Sequence, residues 1–343
     1  MFYNRKLASI AASVLVIAAG AALAMPSTAS AEETTLLLAT TNPPNAHLNV
    51  RVIHPWAERL NKEGAGVLKI DVRDGPTVAN HSNYYDRTLN DVIQIAWGLH
   101  SGAAGKFPRM EVTSIPFVTE KSEASSVALH RLYKSGLLAP EYDEAIPLMF
   151  VGFPTSQFHF RSALKSPDDL KGLKIIAGNK TLAEIVTALG AAPVSIIVTE
   201  VYQALQRGAA DGTGTPWTAF EIFKLAEVTK YHVEAPIGGA TGHVMMAKKK
   251  YAMLPEPARK LIDKYADEQE TRTFGVFWDK VQEEGRNISR AANQTIVELT
   301  PAQTAQWKQK LASIEAEWVK RTPDGEKVMS RYRALVQEVK AGS

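Results

Sequence analysis

The stretch EVYQALQRGAADGTGTPW, Glu200 to Trp217, decides how the rest of the chain is read. Its first half consists of good helix formers. Gly208, Gly212 and Gly214 then break the pattern ahead of Pro216 and Trp217. A helix that stops this abruptly is expected to end in a wall or turn with a purpose, so its surroundings matter. Upstream, PLMFVGF opens a unit that passes through a helix-loop at Ser166 to Gly172. LKIIAG, the helix TLAEIVTALG and the strand-like PVSIIV come next, leading into Glu200. An earlier unit has the same rhythm: TTLLLAT, a helical stretch around VIHPWAERLNKE, the strand VLKIDV, helical YYDRTLND and the strand VIQIAW. Alternation of this kind predicts two α/β lobes, each on a largely parallel sheet. From Pro255 to about Asn293 the chain reads as one long helical stretch. Leu261, Ile262, Tyr265, Phe274, Phe277, Trp278 and Val281 recur along it at three- and four-residue steps, the buried stripe of a helix able to brace both lobes. TIVELT and two more helices complete the chain.

Composition sets the limits. The 343 residues, 45% hydrophobic and 22% charged, suit one large or two medium domains. Arg5 and Lys6 precede an apolar run from Leu7 to Ala24 and the small-residue end Ala29-Ser30-Ala31, the order of a secretory signal peptide cleaved after Ala31. An uncleaved anchor is the alternative, against which stands a run short of the roughly 20 residues a span needs. Cleavage removes two positive charges and no acid, lowering the net charge from +3 to +1. Neither nucleic acid nor an anionic membrane is then the expected main partner. With no cysteine there is no disulfide, no thiol nucleophile and no lipoprotein anchor.

Signs of catalysis are missing. There is no G-x-S-x-G elbow, GLHSG having the wrong spacing, and no Walker loop, dinucleotide fingerprint or H-E-x-x-H helix. The eight histidines are scattered without metal-ligand spacing, so no metal and no cofactor are expected. Asp168 and Asp169 sit where an S-P-D-D helix start would place capping acids. An exported two-lobed α/β protein without a catalytic set points to capture of a solute in a cleft, not to an enzyme.

SPDDLKGLKI (Ser166 to Ile175) followed by ALGAAPVSIIVTEVYQALQRGAADGTGTP (Ala188 to Pro216) resembles the DctP-type solute-binding subunits of TRAP transporters, the tripartite ATP-independent periplasmic systems. The match extends more weakly through TSIPFV and YAMLPEPARKLI to most of the mature chain. The resemblance implies a type II-like periplasmic-binding-protein fold of two lobes with a long bracing helix. Residues 32–153 with 242–281 would form the first lobe, and 154–241 with 282–343 the second. It also implies a periplasmic location and delivery of a small organic solute to a small and a large integral-membrane permease subunit, driven by an ion gradient.

This chain departs from the family where the ligand is held. The family arginine after D-L-K-G-L-K-I, whose guanidinium pairs with a ligand carboxylate, is here Ile176. The asparagine of D-G-x-x-N-P is Thr215, and an upstream basic position falls near Pro154. The strand ends propose Thr41, Asn42, Trp97, His100, Phe158, His159, Ile176, Asn179, Thr215, Trp217 and His243 as ligand-binding residues. Each histidine is equally readable as a hydrogen-bonding residue outside the cleft. Trp97 and Trp217 would offer stacking faces. Two readings of the ligand stay open. One is a neutral, amphipathic or cationic molecule, not a typical dicarboxylate. The other is a carboxylate whose charge partner is Arg161, Lys174, Lys180 or a bridging metal.

Overall fold

The computed structural model describes residues 33–342, apart from Ala104 and Pro167, so the signal-peptide segment lies outside the described residues. Among the described residues eleven strands form two sheets: β1 (Thr34–Ala39), β2 (Leu68–Arg73), β3 (Ile95–Leu99), β4 (Ala145–Gly152), β5 (Gln157–Phe160), β6 (Lys174–Ala177), β7 (Ala192–Val194), β8 (Gly212–Thr215), β9 (Tyr231–Glu234), β10 (Thr241–Ala247) and β11 (Thr295–Glu298). The first sheet runs β2-β1-β3-β10-β4 and the second β11-β9-β5-β8-β6-β7.

Both sheets are mixed, not largely parallel. β1 pairs in parallel with β2 and β3, but β10 runs antiparallel to β3 and β4. In the second sheet β5 is antiparallel to both β8 and β9, while β6, β7 and β8 are parallel. The reversals have one cause. β5 and β10 are the strands by which the chain enters each sheet after crossing from the other, so they run against the βα units built around them.

The segment Glu200 to Trp217 holds the largest local surprise. Val201–Gln206 is helical, and Gly208 turns the chain at φ +73. Beyond the turn lies not a broken helix end but β8, a central strand of the second sheet. Its composition, GTGT, hides it from any propensity scale. A Cβ at Gly212 would stand 2.6 Å from the Phe160 ring and 2.8 Å from the His159 carbonyl oxygen, so close approach of β5 explains the glycine.

Other expectations need correcting. Pro255–Asn293 is two helices, Glu256–Lys264 and Glu268–Ala291, separated at Tyr265–Asp267. Asp267 caps the second, accepting from the Glu270 amide at 2.8 Å. Three helices follow β11, not two: Pro301–Lys310, Ala312–Arg321 and Gly325–Ala341. No helix starts at Ser166. Asp168 instead accepts from Trp307 Nε1 at 2.7 Å and Gln303 Nε2 at 3.2 Å, tying this turn to helix Pro301–Lys310.

The helix Glu268–Ala291, about 36 Å long at 1.5 Å per residue, touches both sheets' neighbourhoods. Near its first half Asp279 accepts from the Ser122 and Glu123 amides (2.7 and 2.9 Å), capping the helix Ser122–Lys134 that covers the first sheet. Near its second half Gly285 lies against Trp217, where a Cβ would come within 2.0 Å of the Trp217 carbonyl oxygen. Phe274, Trp278 and Val281 are buried in the core beneath β1, β3 and β10, as the stripe predicts. Another core fills the other face of the first sheet and one face of the second, and a smaller one, with Ile176, Leu205, Trp217 and Phe220, covers the opposite face of the second. The final helix Gly325–Ala341 returns to the first lobe, where Tyr332 Oη meets Ser125 Oγ at 2.8 Å.

Candidate functional site

Among the described residues, Phe153–Ser156, Ala235–Ala240 and the long helix join the sheets. The first two are laced together. The Phe153 amide donates to Ala240 (2.9 Å) and the Ser156 amide to Gly238 (2.7 Å), while Thr155 Oγ accepts from the Gly238 amide at 3.1 Å. Thr113 and Ser114 hydroxyls both donate to the Gly239 carbonyl, at 2.8 and 3.0 Å. Strand directions aim the carboxyl ends of β1, β3, β6 and β8 at this crossing, where open α/β sheets bind ligands.

The two sides also touch through side chains. Asn179 Nδ2 reaches Ser114 Oγ at 3.4 Å, and Thr181 Oγ donates to Glu111 at 2.9 Å. His47 Nε2 meets Glu221 at 2.9 Å, and Arg51 pairs with Glu284 at 2.8 Å. Among the described residues, His47, Glu221 and Glu284 bring ligand-type atoms within 4.8 Å of one another, with the Arg51 cation already bound to Glu284.

Four sequence-predicted residues stand at or just past strand ends that face the crossing. Thr41, at the end of β1, places its hydroxyl 3.0 Å from His81 Nε2, and burial pushes His81 down to about 4. The Asn42 carbonyl accepts from the Asn49 side-chain amide at 3.2 Å. Asn179 caps helix Lys180–Ala188, accepting from the Leu182 amide at 2.8 Å. Thr215 is half-buried at the end of β8.

Others are elsewhere. Trp97 and Trp217, 2% and 1% exposed, present no open stacking face. Trp97 packs on Phe274 and Phe153, and Trp217 sends Nε1 to Glu234 at 2.9 Å. Phe158 points to the opposite face from its neighbour His159, against Trp307. Ile176 is buried in the small core. The three cations weighed as charge partners lie away from Thr215. Arg161 and Lys174 sit at the other end of the sheet, their backbone amides donating to Asp211 at 3.0 and 2.8 Å. Lys180 lines a surface groove with Glu184, Ser313 and Glu317.

Four of the five buried histidines among the described residues form two pairs, His130 standing apart. In the first lobe His243 Nε2 bonds Tyr84 Oη (3.0 Å) and Nδ1 bonds Tyr142 Oη (2.9 Å), which also meets His100 Nε2 at 2.8 Å. Tyr84 Oη donates onward to the Leu99 carbonyl at 3.0 Å. In the second, His159 Nδ1 lies 2.9 Å from His232 Nδ1, His159 Nε2 is 2.9 Å from the Thr215 carbonyl, and His232 Nε2 is 2.9 Å from Gln294 Oε1. Burial pushes all four below the usual histidine range, His100 to about 3 and His232 to about 4, with His159 and His243 also held well below it. His232 is a residue that sequence reading missed. FHF and YHV each carry a histidine between apolar residues, and the strand alternation that turns Phe158, Phe160, Tyr231 and Val233 into one core turns both rings to the other face.

Comparison with known proteins fits this architecture. Residues 38–322 match the family model described as bacterial extracellular solute-binding protein, family 7 (DctP). The C4-dicarboxylate-binding periplasmic protein DctP of Rhodobacter capsulatus is 28% identical over 235 residues, 66% of this chain and 68% of that one. A TRAP solute-binding protein of Rhodoferax ferrireducens, solved with copurified benzoate, superposes with a TM-score of 0.84 at 27% identity over 90% of this chain and all of that one. A marine metagenome TRAP solute-binding protein specific for aromatic acids, solved with 3-hydroxybenzoate, gives 0.84 at 26% over 90% and 99%. With two sheets, an interlobe crossing and a family match over most of its length, the chain belongs to the bacterial extracellular solute-binding protein family 7, the DctP-type receptors of TRAP transporters.

Proposed function

We propose that this receptor captures a small aromatic monocarboxylate between its lobes in the periplasm and delivers it to the small and large membrane subunits of a TRAP permease, without chemical turnover. The observation that carries the ligand class is the wall at the ends of β6 and β8. Thr215 stands there, the position of the family arginine is taken by the buried Ile176, and Arg161, Lys174 and Lys180 lie elsewhere, so a dicarboxylate would meet too little fixed positive charge. The likeness to two aromatic-acid receptors supports the same class. Thr41, Asn42, Asn179 and Thr215 are the residues proposed to line the site.

A thermal-shift series on the mature protein, emptied by unfolding and refolding, tests this reading. Benzoate or 3-hydroxybenzoate at 100 times its dissociation constant is expected to add about 2.7 kcal/mol and raise the midpoint by several degrees, with succinate and neutral polyols inert. A shift with succinate alone would replace the proposed ligand class by a C4-dicarboxylate.

A further inference from the structure

The hydrogen bonds around His159 and His232 cannot all be made by two neutral rings. Gln294 Nε2 donates to the carbonyls of Ala226 and Thr229, both at 2.7 Å, which fixes its Oε1 as the atom facing His232. His232 Nε2 must therefore carry a proton. The Thr215 carbonyl only accepts, so His159 Nε2 must carry one too. The Nδ1 to Nδ1 contact at 2.9 Å needs a third. Two neutral imidazoles hold two protons between them. In every neutral arrangement one of these contacts sets a lone pair against a lone pair, and one added proton resolves all three.

The surroundings suit a cation. The Trp217 ring lies 4.5 Å from His159 and 4.7 Å from His232, and Phe220 lies 4.6 and 5.5 Å from them. On the neighbouring elements, Glu234 of β9 and Glu298 of β11 both bond Arg286 of the long helix, one acid more than the cation balances. Glu227 bonds Tyr202, and Asp211 at the start of β8 accepts from the Lys174 amide. The pair also lies on one cross-strand row, Ile176, Thr213, His159, His232, two strands (about 10 Å) from Ile176 at its nearer member.

We infer that His159 and His232 together bind one proton, and that its positive charge, held two strands from Ile176, is the charge partner of the ligand carboxylate. Burial opposes the charge and the unmatched lone pairs favour it, so occupancy changes when an anion arrives at the wall. The ligand part of this inference rests on the proposed aromatic acid.

Two measurements decide it. Calorimetry of benzoate binding in two buffers of different ionisation enthalpy is expected to show net proton uptake approaching one at pH 8. Affinity should fall about tenfold per pH unit on the alkaline limb, where benzoate itself stays ionised. His232→Gln, which can still donate to Gln294 and accept from His159, should remove the uptake and the slope. Ring-nitrogen NMR of the free and benzoate-saturated protein should show three protonated nitrogens of the pair's four, persisting to higher pH with ligand. Binding without uptake, with both rings neutral down to pH 5, overturns the inference and leaves the aromatic-acid reading intact. If benzoate and 3-hydroxybenzoate do not bind, the ligand reading fails, and the free-protein NMR decides the proton site by itself: three protonated nitrogens uphold it and two remove it.

Discussion

The two buried histidine pairs stand in similar surroundings and solve the same problem differently. In the first lobe, tyrosine hydroxyls separate the rings. A hydroxyl both donates and accepts, so the run from His100 Nε2 through Tyr142, His243 and Tyr84 to the Leu99 carbonyl can be made with both rings neutral, His100 Nδ1 being left without a hydrogen-bond partner. In the second, ring meets ring directly, with obligate acceptors at both ends. Burial alone would treat the pairs alike. The polarity of their partners separates them, and this makes one pair structural and the other a place for a proton.

The largest expected effect tests the structural side. His243→Phe fills the space but takes a partner from both Tyr84 and Tyr142, two hydroxyls held deep in the core. Tyr84 keeps the Leu99 carbonyl and Tyr142 keeps His100 Nε2, so at roughly 1 kcal/mol for each of the two lost hydrogen bonds urea unfolding should show a loss of about 2 kcal/mol. The pH dependence of benzoate binding should not move, and a changed slope would tie the first pair to the ligand and break the contrast.

Stability against pH compares the pairs within one experiment. His100 and His243 are held neutral by burial, well below the value near 6.5 of the unfolded chain. Groups lowered in this way contribute stability that is full above 6.5 and is lost as pH falls, because the unfolded chain takes up protons that the fold excludes. Each excluded proton costs about 1.4 kcal/mol per pH unit once pH is well below 6.5. The first pair excludes two. The second, already holding one, excludes one. Between pH 5.5 and 4.5 a double glutamine variant of the first pair should flatten the stability curve by about 2.7 kcal/mol per pH unit, and one of the second by about 1.4. Equal flattening would mean that both pairs are neutral.

How much of this is legible in the sequence depends on the distance between partners. The alternation of strands and helices, the buried stripe of the long helix and the likeness to the DctP family rest on neighbouring residues and are all present in the structure. β8 is hidden because GTGT answers to the packing of Phe160 and not to its own propensity. Asp168 is misjudged because its partner, Trp307, lies 139 residues away. His159 stands out in the sequence and His232 does not, since only the β5–β9 register makes them neighbours. Thr215 is recognisable as the end of the motif, yet its carbonyl, the atom that meets His159, carries no side-chain signature.

A third prediction disturbs the roof of the second pair without touching either ring. Gly285→Ala places a methyl group against the Trp217 carbonyl, which lies 2.0 Å from the ideal Cβ position, so helix or tryptophan must shift. Overpacking of this kind costs about 1–3 kcal/mol, measurable by urea unfolding. Because Trp217 packs on both rings, the loss should come with weaker proton retention by the second pair and unchanged ring signals from the first. A loss of stability with both pairs unaltered would show that Trp217 only fills space.

The smallest effect comes from a histidine outside both pairs. His47 bonds Glu221 across the lobes at 2.9 Å, with the acid 54% exposed, so water and salt screen the contact. Glu221→Gln should lower stability by less than about 1 kcal/mol. Its effect on ligand affinity should be no more than about threefold, and should vanish at high salt, whereas the proton uptake of the second pair should persist there because its partners are buried. A large, salt-resistant loss from Glu221→Gln would move the control of ligand affinity from the buried proton to the surface, and the contrast between the pairs would then describe stability alone. Salt is therefore the variable that separates an imidazole paired with an exposed acid from one buried among its partners.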